Sequence, residues 1–135
     1  MEQEMILIAE DETYTRHTLT FVLENAGYQV IEATDGQEAL NVILHLKSST
    51  HPIALLILDI EMSGLTGWQV LDELKCSQIS IPTILITGLI NEQILQRIQD
   101  TYCLEYLKKP FDPENVTTCV SRVLQKTQAL GSFTS

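Results

Sequence analysis

Four apolar runs in this chain each stop at a polar residue, and this restricts the folds open to it more than any other feature. Met5–Ala9 runs into Glu10-Asp11-Glu12, and residues 53–58 run into Asp59. Residues 83–86 run into Thr87, and Glu105-Tyr106-Leu107 leads to Lys108-Lys109-Pro110. The runs have strand length and alternate with longer segments of helical spacing, so the pattern predicts an α/β fold with a parallel sheet. In an open parallel sheet the carboxyl ends of the strands share one edge, where such folds put their sites. Three carboxylates, a hydroxyl and an ammonium are therefore expected to meet in one shallow pocket.

Between the strands the helical stripes can be followed one by one. Leu19, Val22, Leu23 and Ala26 fall at i, i+3, i+4 and i+7, and Gly27 ends that helix because glycine takes the left-handed conformation cheaply. The second strand is expected over residues 28–32. Asp35-Gly36 opens a helix carrying Ala39, Leu40, Ile43 and Leu44, and His51-Pro52 closes the loop before the third strand. Val70, Leu71 and Leu74 share a face of a helix over residues 66–76. Pro82 admits only the start of the fourth strand, since its missing N–H breaks a central ladder. A weaker helix over 91–99 follows, with Ile90, Ile94, Leu95 and Ile98 at helical spacing. The last helix begins after Phe111, with Asp112 as cap and Pro113 in its first turn, and buries Val116, Cys119, Val120, Val123 and Leu124. Residues 127–135 read as a frayed tail. Five strands and five helices in strict alternation result, with the third and most apolar strand central.

The 135 residues fit one domain, and 44% hydrophobic content fits a globular one. A formal charge of −10 argues against nucleic-acid binding by this chain alone, because phosphate backbones are anionic. The longest apolar run, 53–58, falls far short of the roughly 20 residues that span a bilayer. Met1-Glu2-Gln3-Glu4 lacks the basic start of a secretory signal. Cys76, Cys103 and Cys119 are widely spaced and odd in number, which predicts reduced thiols and a cytoplasmic location. His17, His45 and His51 show no metal spacing, and Trp68 is expected to serve local packing.

The strand-end acids carry the chemistry. Glu10, Asp11 and Asp59 bring three negative charges together. At ~4 Å each pair repels by about 4 kcal/mol at an effective dielectric near 20. One Mg²⁺ and the Lys109 ammonium bring the sum to zero. Magnesium takes octahedral oxygen ligands and keeps several waters, so a few carboxylates plus a phosphoryl oxygen suit it. Asp59 is then the nucleophile for a phosphoryl group, with Lys109 and the Thr87 hydroxyl meeting the charge on its oxygens.

These residues resemble the receiver domain of two-component response regulators, over residues 5–126. The resemblance rests on Glu10-Asp11, on Leu-Asp-Ile-Glu-Met-Ser-Gly around Asp59 with Gly67 beyond it, on Ile84-Leu85-Ile86-Thr87-Gly88, and on Tyr106-Leu107-Lys108-Lys109-Pro110-Phe111. It implies a flavodoxin-like doubly wound sheet of order 2-1-3-4-5. It also implies that Asp59 accepts phosphate from a histidine kinase or histidine phosphotransfer protein. Glu10, Asp11, Asp59 and the backbone carbonyl of Glu61 are the implied Mg²⁺ ligands. Thr87 and Tyr106 are the implied switch: the added charge draws the Thr87 hydroxyl inward, the Tyr106 ring follows, and the face of the fourth helix, fifth strand and fifth helix is remade. Any catalysis is slow self-phosphorylation and hydrolysis, with a downstream protein or attached output domain as target and room for a homodimer through that face.

The chain departs from the family in three places. Ser63 stands where proline is usual, which predicts a less rigid phosphorylation loop, and Thr101-Tyr102-Cys103 replaces a Gly-Ala pair before the fifth strand. Glu61 and Leu89 occupy positions that influence hydrolysis in the family, with Gly88 and Leu89 at the phosphate access. An apolar Leu89 is expected to orient water poorly and lengthen the phosphoryl lifetime. The main competing reading is a docking module of the same fold that never turns over phosphate. A flavin-binding flavodoxin is disfavoured because Glu10-Asp11-Glu12 repels the flavin phosphate. A dehalogenase-type phosphatase is disfavoured because Thr13 stands where its second Asp is needed.

Overall fold

Strand alternation decides which side of the sheet each apolar residue serves. A computed structural model describes residues 3–100 and 105–134, with residues 128–134 described by their backbone alone. The elements are β1 (Met5–Ala9), α1 (Thr13–Asn25), β2 (Gln29–Ala33), α2 (Gly36–Leu46), β3 (Leu55–Asp59), α3 (Gly67–Cys76), β4 (Thr83–Thr87), α4 (Glu92–Asp100), β5 (Glu105–Lys108) and α5 (Pro113–Thr134). All strand pairs are parallel, in the order β2-β1-β3-β4-β5. The most apolar strand is therefore central, as expected.

Ile6, Ile8, Leu55, Ile57, Ile84 and Ile86 face one way and pack on Leu19 and Leu23 of α1 and Val116, Val120 and Val123 of α5. Leu7, Leu56, Leu58 and Leu85 face the other way, onto Ala39 and Ile43 of α2, Val70 and Leu74 of α3, and Ile98 of α4. Each such buried side chain contributes roughly 1.5–3 kcal/mol relative to exposure. Trp68 packs in the second layer with the Arg97 guanidinium 4.4 Å from its ring centre, which pins α3 to α4.

The order reverses between β1 and β3, since the chain leaves β1 for β2 on one side and returns to β3 on the other. That reversal opens the sheet edge where the strand-end acids lie. Local signals fix the helices beside it. Glu12 caps α1 by accepting from the Tyr14 and Thr15 amides. Gly27, at φ 98°, closes α1 as Gly27 N–H donates to Glu24 O and Tyr28 N–H to Leu23 O. Thr66 and Gln69 form a reciprocal capping box at the start of α3.

One expectation is corrected. Residues 127–134 continue α5 rather than forming a tail, because Gln125 to Leu130 carry no helix breaker and the first glycine is Gly131. Thr101-Tyr102-Cys103 lie outside the described residues.

Candidate functional site

Glu10 follows the last residue of β1 and is completely buried. Its backbone is clamped from two directions: Glu10 N–H donates to Ala33 O, and Arg16 Nη1 donates to Glu10 O at 3.0 Å. Arg16, itself buried, is held in turn by Glu32, whose carboxylate accepts from Arg16 Nε at 3.0 Å and from the Thr20 hydroxyl at 2.6 Å. Asp59 ends β3 and is 1% exposed. Its Oδ1 accepts from Glu61 N–H at 3.0 Å and its Oδ2 from Lys109 Nζ at 3.0 Å. Lys109 Nζ also lies 2.6 Å from Glu10 Oε1, and Lys109 N–H donates to Thr87 O, tying the β5 end to the β4 end. The Lys109–Pro110 peptide is cis. Asp11 is exposed, and its Oδ2 accepts from Ser63 N–H at 3.2 Å.

One carboxylate oxygen from each of Glu10, Asp11 and Asp59 lies within 4.8 Å of the others. Three carboxylates face one ammonium, which leaves two excess negative charges if all ionise. Burial, reinforced by Asp59, pushes the Glu10 carboxyl up to about 7 despite Lys109. Burial alone lowers the Lys109 ammonium, but Glu10 and Asp59 hold it above its ordinary value. Glu10 Oε1 is buried, with Lys109 at ion-pair distance but no aligned hydrogen bond. An acid pushed toward its neutral form, with an under-satisfied oxygen facing two more carboxylates, fits a divalent cation bound by hard oxygen donors.

The hydroxyl expected beside these acids is engaged by another residue. Thr87 ends β4 and is fully buried, and its Oγ1 lies 2.7 Å from Glu61 Oε1 and 2.9 Å from Leu89 O. Gly88 N–H donates to the same Glu61 oxygen at 3.3 Å, and Leu89 N–H donates to Thr87 Oγ1 at 3.1 Å. Leu89 is 56% exposed and Tyr106 41% exposed. Gly67 lets α3 start hard against Asp59, since a Cβ there would lie 2.6 Å from Asp59 O and 2.8 Å from Ile60 Cα.

The structure thus brings Glu10, Asp11, Asp59 and Lys109 together, and links Thr87 and Gly88 to them through Glu61. Tyr106 points outward, and Lys108 is exposed. Four contributors were not foreseen from the sequence. The Glu61 side chain was expected to matter only for hydrolysis. Arg16 and Glu32 position Glu10 from a distance that spacing does not reveal. Ser63, expected to loosen its loop, supplies an N–H to Asp11 that proline lacks. The departure from proline was itself the available signal. A cavity of about 830 Å³ lined by Leu71, Leu74, Ile79, Ile81 and Arg97 borders the start of β4, away from these acids.

The model of the family described as response regulator receiver domain matches residues 6–121. The aerobic respiration control protein ArcA of Escherichia coli (strain K12) is 36% identical over 132 residues, covering 98% of this chain and 53% of its own length. The alkaline phosphatase synthesis transcriptional regulatory protein PhoP of Bacillus subtilis is 30% identical over 123 residues, 91% of this chain and 49% of its own length. The chain therefore spans about half the length of the curated relatives it matches. Among solved structures, the chemotaxis protein CheY4 of Vibrio cholerae superimposes with a TM-score of 0.78 at 25% identity, covering 90% of this chain and 99% of its own.

Proposed function

Because the chain belongs to the response regulator receiver family, we propose that Asp59 is its phosphoacceptor and that the cluster around it is the phosphotransfer site. The observation that carries this reading is a buried Asp59 whose carboxylate shares one ammonium with Glu10 and lies beside Asp11. An Asp59 oxygen forms the new bond to phosphorus. The bond from phosphorus to a donor histidine nitrogen breaks, and its electron pair returns to the imidazole. Lys109 stays paired with Asp59 and offsets charge on the transferred group.

Glu10, Asp11, Asp59 and the Glu61 backbone carbonyl are the residues that would hold Mg²⁺. Bound there, Mg²⁺ would supply positive charge against the carboxylates and the incoming phosphoryl group. Thr87 and Gly88 supply O–H and N–H donors for the phosphoryl oxygens once they are released from Glu61. Tyr106 then moves from its outward position toward the space beside Thr87, remaking the α4–β5–α5 face. Leu89, apolar at the access to the site, disfavours an ordered hydrolytic water and lengthens the lifetime of the phosphoryl state. The donor is a histidine kinase or phosphotransfer protein in the cytoplasm, and the target is a separate protein or an output domain outside this chain.

Transfer from a radiolabelled phosphohistidine protein tests the reading. Label should appear on the wild type with Mg²⁺, be labile to base as acyl phosphates are, and be absent with EDTA or in Asp59→Asn. Wild-type protein that stays unlabelled with an active donor would favour a docking module instead.

A further inference from the structure

The Glu61 side chain holds the two donors that the phosphotransfer site needs. Its Oε1 takes the Thr87 hydroxyl at 2.7 Å and the Gly88 amide at 3.3 Å. Its own amide is fixed to Asp59 Oδ1, so the residue spans from the reactive carboxylate to the end of β4. A carboxylate oxygen accepting one O–H and one N–H occupies the same hydrogen-bonding role as a phosphoryl oxygen. We infer that the Glu61 carboxylate is a built-in competitor for the phosphoryl position: it satisfies Thr87 and Gly88 in the unmodified protein and must be expelled before a phosphoryl group on Asp59 can engage them.

This rests on the reading of Asp59 as phosphoacceptor. Hydroxyl and amide bonds to a charged acceptor are stronger than neutral ones, so expulsion slows entry of the phosphoryl group. Glu61 is exposed, so its carboxylate has solvent to move into once displaced. Thr87 has a single proton to donate, shared between Glu61 Oε1 at 2.7 Å and Leu89 O at 2.9 Å. Vacating Glu61 leaves the Gly88 amide open and the Thr87 hydroxyl with the neutral Leu89 carbonyl as acceptor, so both can turn to an incoming anion.

Two explanations for a faster variant must be separated: release of the donors, and simple loss of a negative charge at the mouth. Glu61→Ala removes both. Glu61→Asp keeps the charge but draws the carboxylate back by about 1.5 Å, out of reach of Thr87. With Mg²⁺ and acetyl phosphate, an Asp59 oxygen bonds phosphorus as acetate leaves with the electron pair, and intact mass gives the initial rate. The half-saturating concentration of beryllofluoride, followed by backbone amide resonances, gives a readout independent of turnover.

Both variants should phosphorylate at least about fivefold faster than wild type and bind beryllofluoride at least about fivefold tighter. Wild-type phosphorylation with Glu61→Ala no faster would overturn the inference while leaving Asp59 as acceptor. A gain in Glu61→Ala with Glu61→Asp at the wild-type value assigns the effect to charge alone and also overturns it. If only the variants gain mass, Glu61 is a full block and the inference stands. If no protein with Glu61 altered or intact takes up phosphate or beryllofluoride, the phosphoacceptor reading fails and the inference with it.

Discussion

At Glu10, burial and neighbouring charge work against Lys109. Its folded carboxyl is raised to about 7, above the ordinary value of 4.5. The unfolded acid loses its proton first, so in EDTA stability falls between pH 4.5 and about 7, by roughly 2–3 kcal/mol. Glu32 and Glu105 have the opposite sign. Burial raises Glu32, but Thr20 and Arg16 bring it below the usual range, and Arg122 does the same for Glu105. Their contributions are complete above pH 4.5 and are lost as pH falls through the lowered folded values. Urea unfolding in EDTA should therefore show maximal stability near pH 5, and Glu10→Gln should flatten the decline toward pH 8. A decline of equal depth in Glu10→Gln would assign it to overall charge. Lys109→Ala leaves two buried carboxylates without their cation. It should cost about 1–3 kcal/mol at pH 8 in metal-free buffer, measured by the same unfolding curves, with the cost shrinking near pH 5.

At the scale of elements, the loops after β3 and β4 matter most. Gly67→Ala places a methyl against the Asp59 carbonyl and should destabilise by about 3 kcal/mol, read by thermal or urea unfolding, because backbone cannot yield as a side chain would. Leu89→Asn should shorten the phosphoryl lifetime, checked by a dephosphorylation time course; an unchanged lifetime removes Leu89 from the account. The strands were legible because short continuous apolar runs that stop at a polar residue fit strands buried on both faces, and the strand-end acids were legible because a parallel sheet collects them at one edge. The Glu61 contact with Thr87 was not, since it joins side chains from two loops whose spacing carries no periodic signal. Arg16 was hidden for the same reason, reaching Glu10 through three dimensions. The helix through residues 127–134 was missed because small polar residues resemble a tail, although none before Gly131 breaks a helix.

For the whole molecule, the fold places its charge economically. The sheet order reverses at β1 and β3, so the strands that lead into Glu10 and end in Asp59 are neighbours, with β4 ending in Thr87 and β5 leading into Lys109 at the same edge. Apolar layers on both faces bury the strands, while Tyr106 and Leu89 remain at the surface, where the proposed switch is to be read. A chain of net charge −10 brings three acids together where, among the described residues, one ammonium answers them, and the central claim is that Asp59 takes up a phosphoryl group there. It is tested most directly by intact mass after incubation with acetyl phosphate and Mg²⁺. The wild type should add one phosphoryl group and Asp59→Asn none. Equal addition to both proteins, or to neither, would contradict it.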